Sequence, residues 1–451
     1  MVSAGGRPWK DWMNAMNDFQ KTAKEMLDFI TKSPTCFHAA ANIGELLGKA
    51  GFRELKENEE WTLKRGGRYY TQRNDSSVIA FAIPTGNVKG FHMAAAHSDS
   101  PCFKIKEKPE LTVEEHYLRL NTEKYGGMIL STWLDRPLSV AGRLAVRGEN
   151  GIESRLVNIA GDLCVIPNVA IHMNREMNKG VEYNPQVDML PLFADAAFTA
   201  PEDTEATSGK MTLRTLAAEA AGVDAETILG EDLFLYTRQE GKFLGARGEF
   251  VLSPRLDDLQ SAFALTKAFV ASEPAEYINL CAVFDNEEVG SGTRQGADST
   301  FLEDVLQRIT EGLQESHSTY LRWVAGSFLI SADNAHAVHP NHPEKADPTN
   351  RPYLNGGIVI KYHGSQKYTT DGISAARMKD YCERAKVPYQ TYANRSDIAG
   401  GSTLGNISTA HVSVSSVDIG LPQLAMHSAV ETAGMLDTEY AVRALKVFWS
   451  E

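Results

Sequence analysis

Over roughly the last two hundred residues, short apolar runs alternate with helix-patterned segments, and this alternation limits the possible folds more than any other feature. From Val251 onward the pattern predicts a helix over Ser261 to Ala271, a strand over Ile278 to Phe284 and a helix over Phe301 to Gln314. A strand over Ser327 to Ala332 and a helix over Ile373 to Ala385 follow. Such alternation builds an α/β sheet covered by helices. The chain starts in the same way. Apolar residues recur at helical spacing from Asn17 to Thr31, Ser33-Pro34 stops that helix, and a second runs about Ala39 to Ala50. Strand-like runs follow at Arg68 to Thr71, Ser77 to Ile83 and Phe91 to Ala96.

The middle third breaks the pattern. Between about Lys106 and Phe250 the segments are short and alternating, as in Tyr117 to Asn121 and Gly142 to Val146, with polar loops that include the acidic stretch Ala200 to Gly209. Met211 to Ala221 is one of few helical patterns there. At 451 residues the chain exceeds what one core usually supports. The expectation is a discontinuous α/β domain, residues 1–105 and 251–451, with a β-rich domain inserted at 106–250.

A hydrophobic fraction of 43% with 23% charged residues is that of a soluble globular protein. A formal net charge of -13, with no basic cluster interleaved with aromatics, argues against nucleic acid and anionic membranes as partners. Cys36, Cys102, Cys164, Cys281 and Cys382 are scattered, without a CxxC pair, and read as reduced thiols of a cytoplasmic protein. The first residues, MVSAGGRPWKDWM, lack the apolar core of a signal peptide, and no run of about 18 apolar residues follows.

Five places set metal-competent side chains at the end of an apolar run or just before a helix. His97 and Asp99 follow Phe91 to Ala96, and Asp257 and Asp258 precede a helix. Asp285, Glu287 and Glu288 follow Ile278 to Phe284, and Asp333 and His336 follow Ser327 to Ala332. His427 comes after the apolar stretch Val412 to Leu421. Open α/β sheets bind ligands beyond the carboxyl ends of their strands, so ligands distant in sequence can meet there. Histidines with carboxylates, and no thiolate, suit zinc, cobalt or manganese. A carboxylate shared by two ions, with one histidine on each, makes a two-metal hydrolytic site. Adjacent glutamates on a tight loop can point opposite ways, one to a metal and one to the attacking water. Residue pattern alone leaves Asp257 and Asp258 as alternatives.

At these residues the sequence resembles the aspartyl aminopeptidase family, the M18 metallopeptidases. The likeness runs through Ser33-Pro34-Thr35, Gly66 to Tyr70, Ala96 to Pro101, Tyr125-Gly126-Gly127 and Ser131-Thr132-Trp133. It continues in Ser253 to Leu259, Asp285 to Ser291, Ser331 to Asn341, Gly401 to Gly405 and Pro422 to Ser428. The resemblance implies a zinc-exopeptidase type of α/β fold with the insertion as a dimerisation and lid domain. It implies two divalent ions per subunit, bridged by Asp257, with His97 and Asp333 on one and Glu288 and His427 on the other. Glu287 would be the general base and Asp99 the carboxylate that fixes the His97 tautomer. His172 would help complete the neighbouring subunit's active site.

The implied partners are small peptides and further copies of the chain, in a tetrahedral dodecamer built from dimers. The implied activity is release of N-terminal residues, acidic ones preferred, with Lys361 as the cation in the first-residue pocket. Relatives with neutral or basic preference leave a same-mechanism alternative. A non-catalytic shell protein is a further one, opposed by the presence of every ligand.

Overall fold

The computed structural model describes residues 9–149, 151–196, 212–401 and 403–451, with side chains from residue 17 onward. The first eight residues, the acidic stretch Ala200 to Gly209, Met211 and Ser402 lie outside the described residues. The chain divides into two bodies: Met1–Asp99 with Gly241–Met426 and Glu431–Glu451, and Ser100–Glu240 with His427–Val430.

The first body is built on a nine-stranded mixed sheet. At its centre Ile278–Phe284, Phe91–His97, Phe328–Ala332 and Ser415–Gly420 lie side by side and parallel. Both faces of these strands are covered, so period-two alternation sends their side chains into two cores. In Phe91–His97, Ala94 and Ala96 face one core while Phe91, Met93 and Ala95 face the other. In Ile278–Phe284, Cys281 and Val283 face the first core, and Leu280, Ala282 and Phe284 the second. Helices cover both faces. Cys36–Lys49, Leu256–Val270 and Asp437–Phe448 contribute to the first core, Phe301–Gly312 and His317–Ala325 to the second.

The register brings the strand ends level. Phe284 pairs with His97, and Ser331 with Ala95, so residue 333 stands at the height of residue 97. A smaller five-stranded sheet, which includes Phe250–Ser253, Pro422–Leu424 and Glu431–Gly434, belongs to the same body.

The second body carries a six-stranded antiparallel sheet whose members include Cys102–Val113, Tyr117–Tyr125, Leu138–Gly148 and Ile228–Thr237. The strands are longer than the short alternating runs read from the sequence, because polar residues on the solvent side interrupt the apolar pattern without ending the pairing. Phe103 meets Trp133 edge-on at 5.3 Å in the core of this body. Helix Leu213–Ala221 packs there too. Thr212 caps its N-terminus, accepting from Thr215 N, and Gly222 ends it at φ 66°. Among the described residues no helix is long and apolar enough to cross a membrane.

Candidate metal centre

His97 is the last residue of its strand and is buried. Its Nδ1–H donates to the Asp99 main-chain carbonyl at 3.1 Å, which turns Nε2 toward Asp257 Oδ1, 3.4 Å away. The Asp99 carboxylate also faces this ring, with Oδ1 3.4 Å from Nδ1. Its oxygens accept from a second element as well. Oδ1 accepts from Glu287 N and Oδ2 from Glu288 N, each at 3.1 Å, so Asp99 grips the turn that carries both glutamates. That turn leaves its strand through Asn286 at φ 63° and closes at Gly290 with φ 97°, a conformation glycine adopts without strain.

Asp257 and Asp258 sit in a kink where strand Phe250–Ser253 gives way to helix Leu256–Val270; neither has helical dihedrals and the peptide between them is cis. The two aspartates diverge. Asp258 Oδ2 accepts from His97 N at 3.2 Å, whereas Asp257 offers a carboxylate oxygen to the group formed with His97 and Asp333. In that group the potential ligand atoms lie within 4.8 Å of one another. His97, Glu287 and Glu288 form a second group within the same limit. Asp333 stands at the end of Phe328–Ala332 under Gly420, where a Cβ would come within 2.2 Å of its carbonyl oxygen.

Four polar side chains that had no assigned role underlie this cluster. Glu431 Oε2 accepts from Asp257 N at 3.0 Å, and Glu431 Oε1 from Gln423 Nε2 at 3.3 Å. Asn334 Nδ2 donates to Gln423 Oε1 at 2.8 Å and lies 3.1 Å from Gln260 Oε1. Asn334 and Gln423 lie within the motif-like segments, but nothing in residue type announced that they would be buried together. His336, by contrast, is exposed and is not brought into either group.

The electrostatics are those of a site built for cations. Burial, then the neighbouring carboxylates, raises Asp258 and Glu288 well above the usual range, against the pull of His97. Burial raises Asp333 as well, with Lys361 opposing. Glu287 is held up at about 8 by burial, with His97 opposing and Asp333, Asp99 and Asp257 reinforcing. Burial alone would lower the His97 pKa, yet Asp257, Asp99, Asp258 and Glu287 together raise it well above 6.5. So much negative charge in a low-dielectric pocket calls for a positive counter-charge. Divalent ions among histidine and carboxylate ligands meet that need, so the donor set fits zinc.

Lys361, on strand Ile358–Tyr362, is 3% exposed, with Nζ 3.7 Å from Asp333 Oδ2 and over the Tyr368 ring. Burial lowers its pKa, but Asp333, Tyr368 and Asp418 outweigh that and raise it, so the buried ammonium stays charged. His427 is counted with the second body, one residue beyond Met426. Its φ is 66°, and its Nδ1–H donates to the Gly127 carbonyl at 3.0 Å, which leaves Nε2 as the lone-pair nitrogen. His172 is exposed on the second body, next to the exposed apolar side chains Ile171 and Met173.

The profile of a family described as Aminopeptidase I zinc metalloprotease (M18) matches residues 29–449. The chain belongs to the M18 family of zinc aminopeptidases. It is a metallo-aminopeptidase, a hydrolase of the zinc-exopeptidase fold type. This M18 chain is 48% identical over 434 residues to the probable M18 family aminopeptidase 2 of Clostridium novyi (strain NT), covering 95% of this chain and 99% of that one. It superposes on a chain of the cryo-EM structure of the Ape4 and Nbr1 complex with a TM-score of 0.91 at 36% identity, covering 100% of this chain and 87% of that one. On the S. cerevisiae mApe1 dodecamer the TM-score is 0.82 at 27% identity, over 96% of this chain and 97% of that one.

Proposed function

We propose that this M18 aminopeptidase works with two divalent ions, zinc for preference, and releases N-terminal Asp or Glu from small peptides. The observation that carries the reading is the convergence of His97, Asp333, Glu287 and Glu288, at or just beyond level strand ends, with Asp257 from the start of a helix, the potential ligand atoms lying within 4.8 Å in each group. As the family resemblance implies, His97 and Asp333 would hold one ion and Glu288 and His427 the other, with Asp257 shared. When bound, the ions supply Lewis acidity that polarises the scissile carbonyl and acidifies water. Glu287 takes the proton of the attacking water and delivers it to the leaving amine. Asp99, through its two bonds to the glutamate turn, sets where that carboxylate stands. Lys361 draws the acidic side chain of the first residue toward the buried end of the site.

The second body serves as the dimerisation domain, residues 106–250 in the sequence reading, and its exposed His172 reaches the active site of a neighbouring subunit. The dodecameric mApe1 supports a dodecamer here, which we read as built from dimers. None of the five cysteines forms a disulfide among the described residues, which suits a reducing cytoplasmic compartment.

One observation favours a second reading of specificity. The Lys361 ammonium already faces Asp333, so an acidic substrate must share it; a neutral preference follows if it does not. Aspartyl-, glutamyl-, leucyl- and lysyl-arylamides, assayed with chelator and with added zinc, cobalt or manganese, separate the two. Chelator-sensitive activity favouring acidic residues supports the first reading, and leucyl or lysyl preference supports the second. Glu287→Gln should keep the metal and lose about 10²- to 10⁴-fold in turnover. Near-normal kcat in that variant would remove Glu287 from its role.

A further inference from the structure

Within the first body, a cavity of about 480 Å3 opens beside the metal centre. It begins at His336, three residues beyond Asp333, and its lining runs to Met426, the residue before His427. In a chain of net charge -13, its wall contains no Asp or Glu. It is lined instead by three imidazoles, His336, His339 and His342, by Lys345 and Arg395, and by the amide of Asn394. The volume is that of a small-molecule site.

The lining is held in place and still offers donors. Arg395 binds Asp397 through Nε at 2.9 Å and Nη2 at 2.7 Å, and its Nη1 donates to the Glu344 carbonyl. It therefore ties the loop after strand Tyr389–Ala393 to the short turn Pro343–Lys345, with its own charge matched by Asp397. His342 has Glu344 at 3.2 Å. Lys345 has no carboxylate within ion-pair distance among the described residues. Asn394 Oδ1 accepts from Tyr392 OH at 2.6 Å, whereas its buried Nδ2 has no hydrogen-bond partner among the described residues. Gly400 packs against that amide so closely that a Cβ would lie 2.0 Å from Nδ2. The exposed ammonium of Lys345 favours a ligand that carries negative charge, and the His342 ring beside it can donate to the same group.

We propose that this cavity is a carboxylate subsite, in which Lys345 and His342 receive a carboxylate of the bound peptide from beyond its first residue. The inference rests on the aminopeptidase reading, and Lys361, which does not line the cavity, is left to the first residue. The same chemistry could instead receive a first-residue side chain, so two substrate pairs are needed. One pair is Leu-Asp-amide and Leu-Asn-amide; the other is aspartyl- and asparaginyl-arylamide. The kcat/KM ratio of acid to amide is measured in each pair for the zinc-loaded wild type, Lys345→Gln and His342→Ala.

The expected result is a wild-type preference for Leu-Asp-amide that Lys345→Gln lowers about fivefold, as a partly exposed charge pair would, with the arylamide ratio unmoved. A fall confined to the arylamide ratio overturns the assignment beyond the first residue and gives the cavity to the first. Ratios within twofold of wild type in both variants and both pairs overturn the subsite. If the zinc-loaded wild type cleaves none of the four, the aminopeptidase reading fails by itself. Calorimetric binding of the two dipeptide amides then decides the cavity: tighter binding of the acid in wild type and equal binding in Lys345→Gln keeps it, and equal binding in both removes it.

Discussion

Asp99→Asn is the substitution that most directly tests how the catalytic turn is held. In the wild type each carboxylate oxygen accepts one main-chain N–H, from Glu287 and from Glu288, both at 3.1 Å. Asparagine keeps the shape and one acceptor, but places an NH2 against the other N–H. One charge-assisted bond is lost and a donor faces a donor, a cost of roughly 1.5–3 kcal/mol. Spread over the position of Glu287 and Glu288, that corresponds to about a 10- to 100-fold loss in kcat/KM. The assay is arylamide hydrolysis at saturating zinc, with zinc affinity measured in parallel by competition with a chelating dye. A circular-dichroism melt confirms that the variant is folded. If kcat/KM stayed within twofold of wild type and zinc affinity did not change, the turn would not depend on Asp99 and the positioning argument would be wrong.

His92, at the far end of the strand that ends in His97, should make the fold acid-labile. Its ring stacks on Tyr277 at 3.7 Å and its Nδ1–H donates to the Phe448 carbonyl at 3.1 Å. Burial, opposed by that carbonyl and by Glu451, lowers its pKa from 6.5 to about 4. The unfolded chain therefore takes up the proton first. The contribution, on the order of 3 kcal/mol, is complete above pH 6.5 and is lost as pH falls toward 4. Denaturation midpoints between pH 7 and 4.5 should fall less steeply for His92→Phe than for wild type, and equal slopes would contradict this. Trp449→Ala removes a fully buried ring and its Nε1–H bond to the His92 carbonyl, and should cost about 3–5 kcal/mol in urea or thermal unfolding; a loss below 1 kcal/mol would mean the site collapses freely.

Much of the centre could be read from the chain because strand geometry does the gathering. An apolar run long enough for a strand buried on both faces, followed at once by His97, by Glu287 and Glu288, or by Asp333, places those side chains at a strand end wherever the strand lies. Parallel pairing in register, Phe284 with His97 and Ser331 with Ala95, then brings the ends level. Helices His317–Ala325, Leu404–His411 and Asp437–Phe448 were not read from the sequence. Each is short, and its stability comes from packing on the sheet rather than from a pattern of its own.

Residue pattern alone left Asp257 and Asp258 open; the family resemblance favoured Asp257, and the tertiary structure shows how the two differ. Both are buried neighbours of the same type, and only the kink between strand and helix turns one toward His97 Nε2 and the other toward His97 N. The layer of Gln260, Asn334, Gln423 and Glu431 was likewise invisible, since a buried polar residue is written with the same letter as a solvated one. What the sequence determined by itself was which side chains stand at which strand ends, because that follows from local periodicity. Only the tertiary structure decided which atoms face one another, because that depends on residues as far apart as Asp257 and Glu431 satisfying each other's hydrogen bonds away from water.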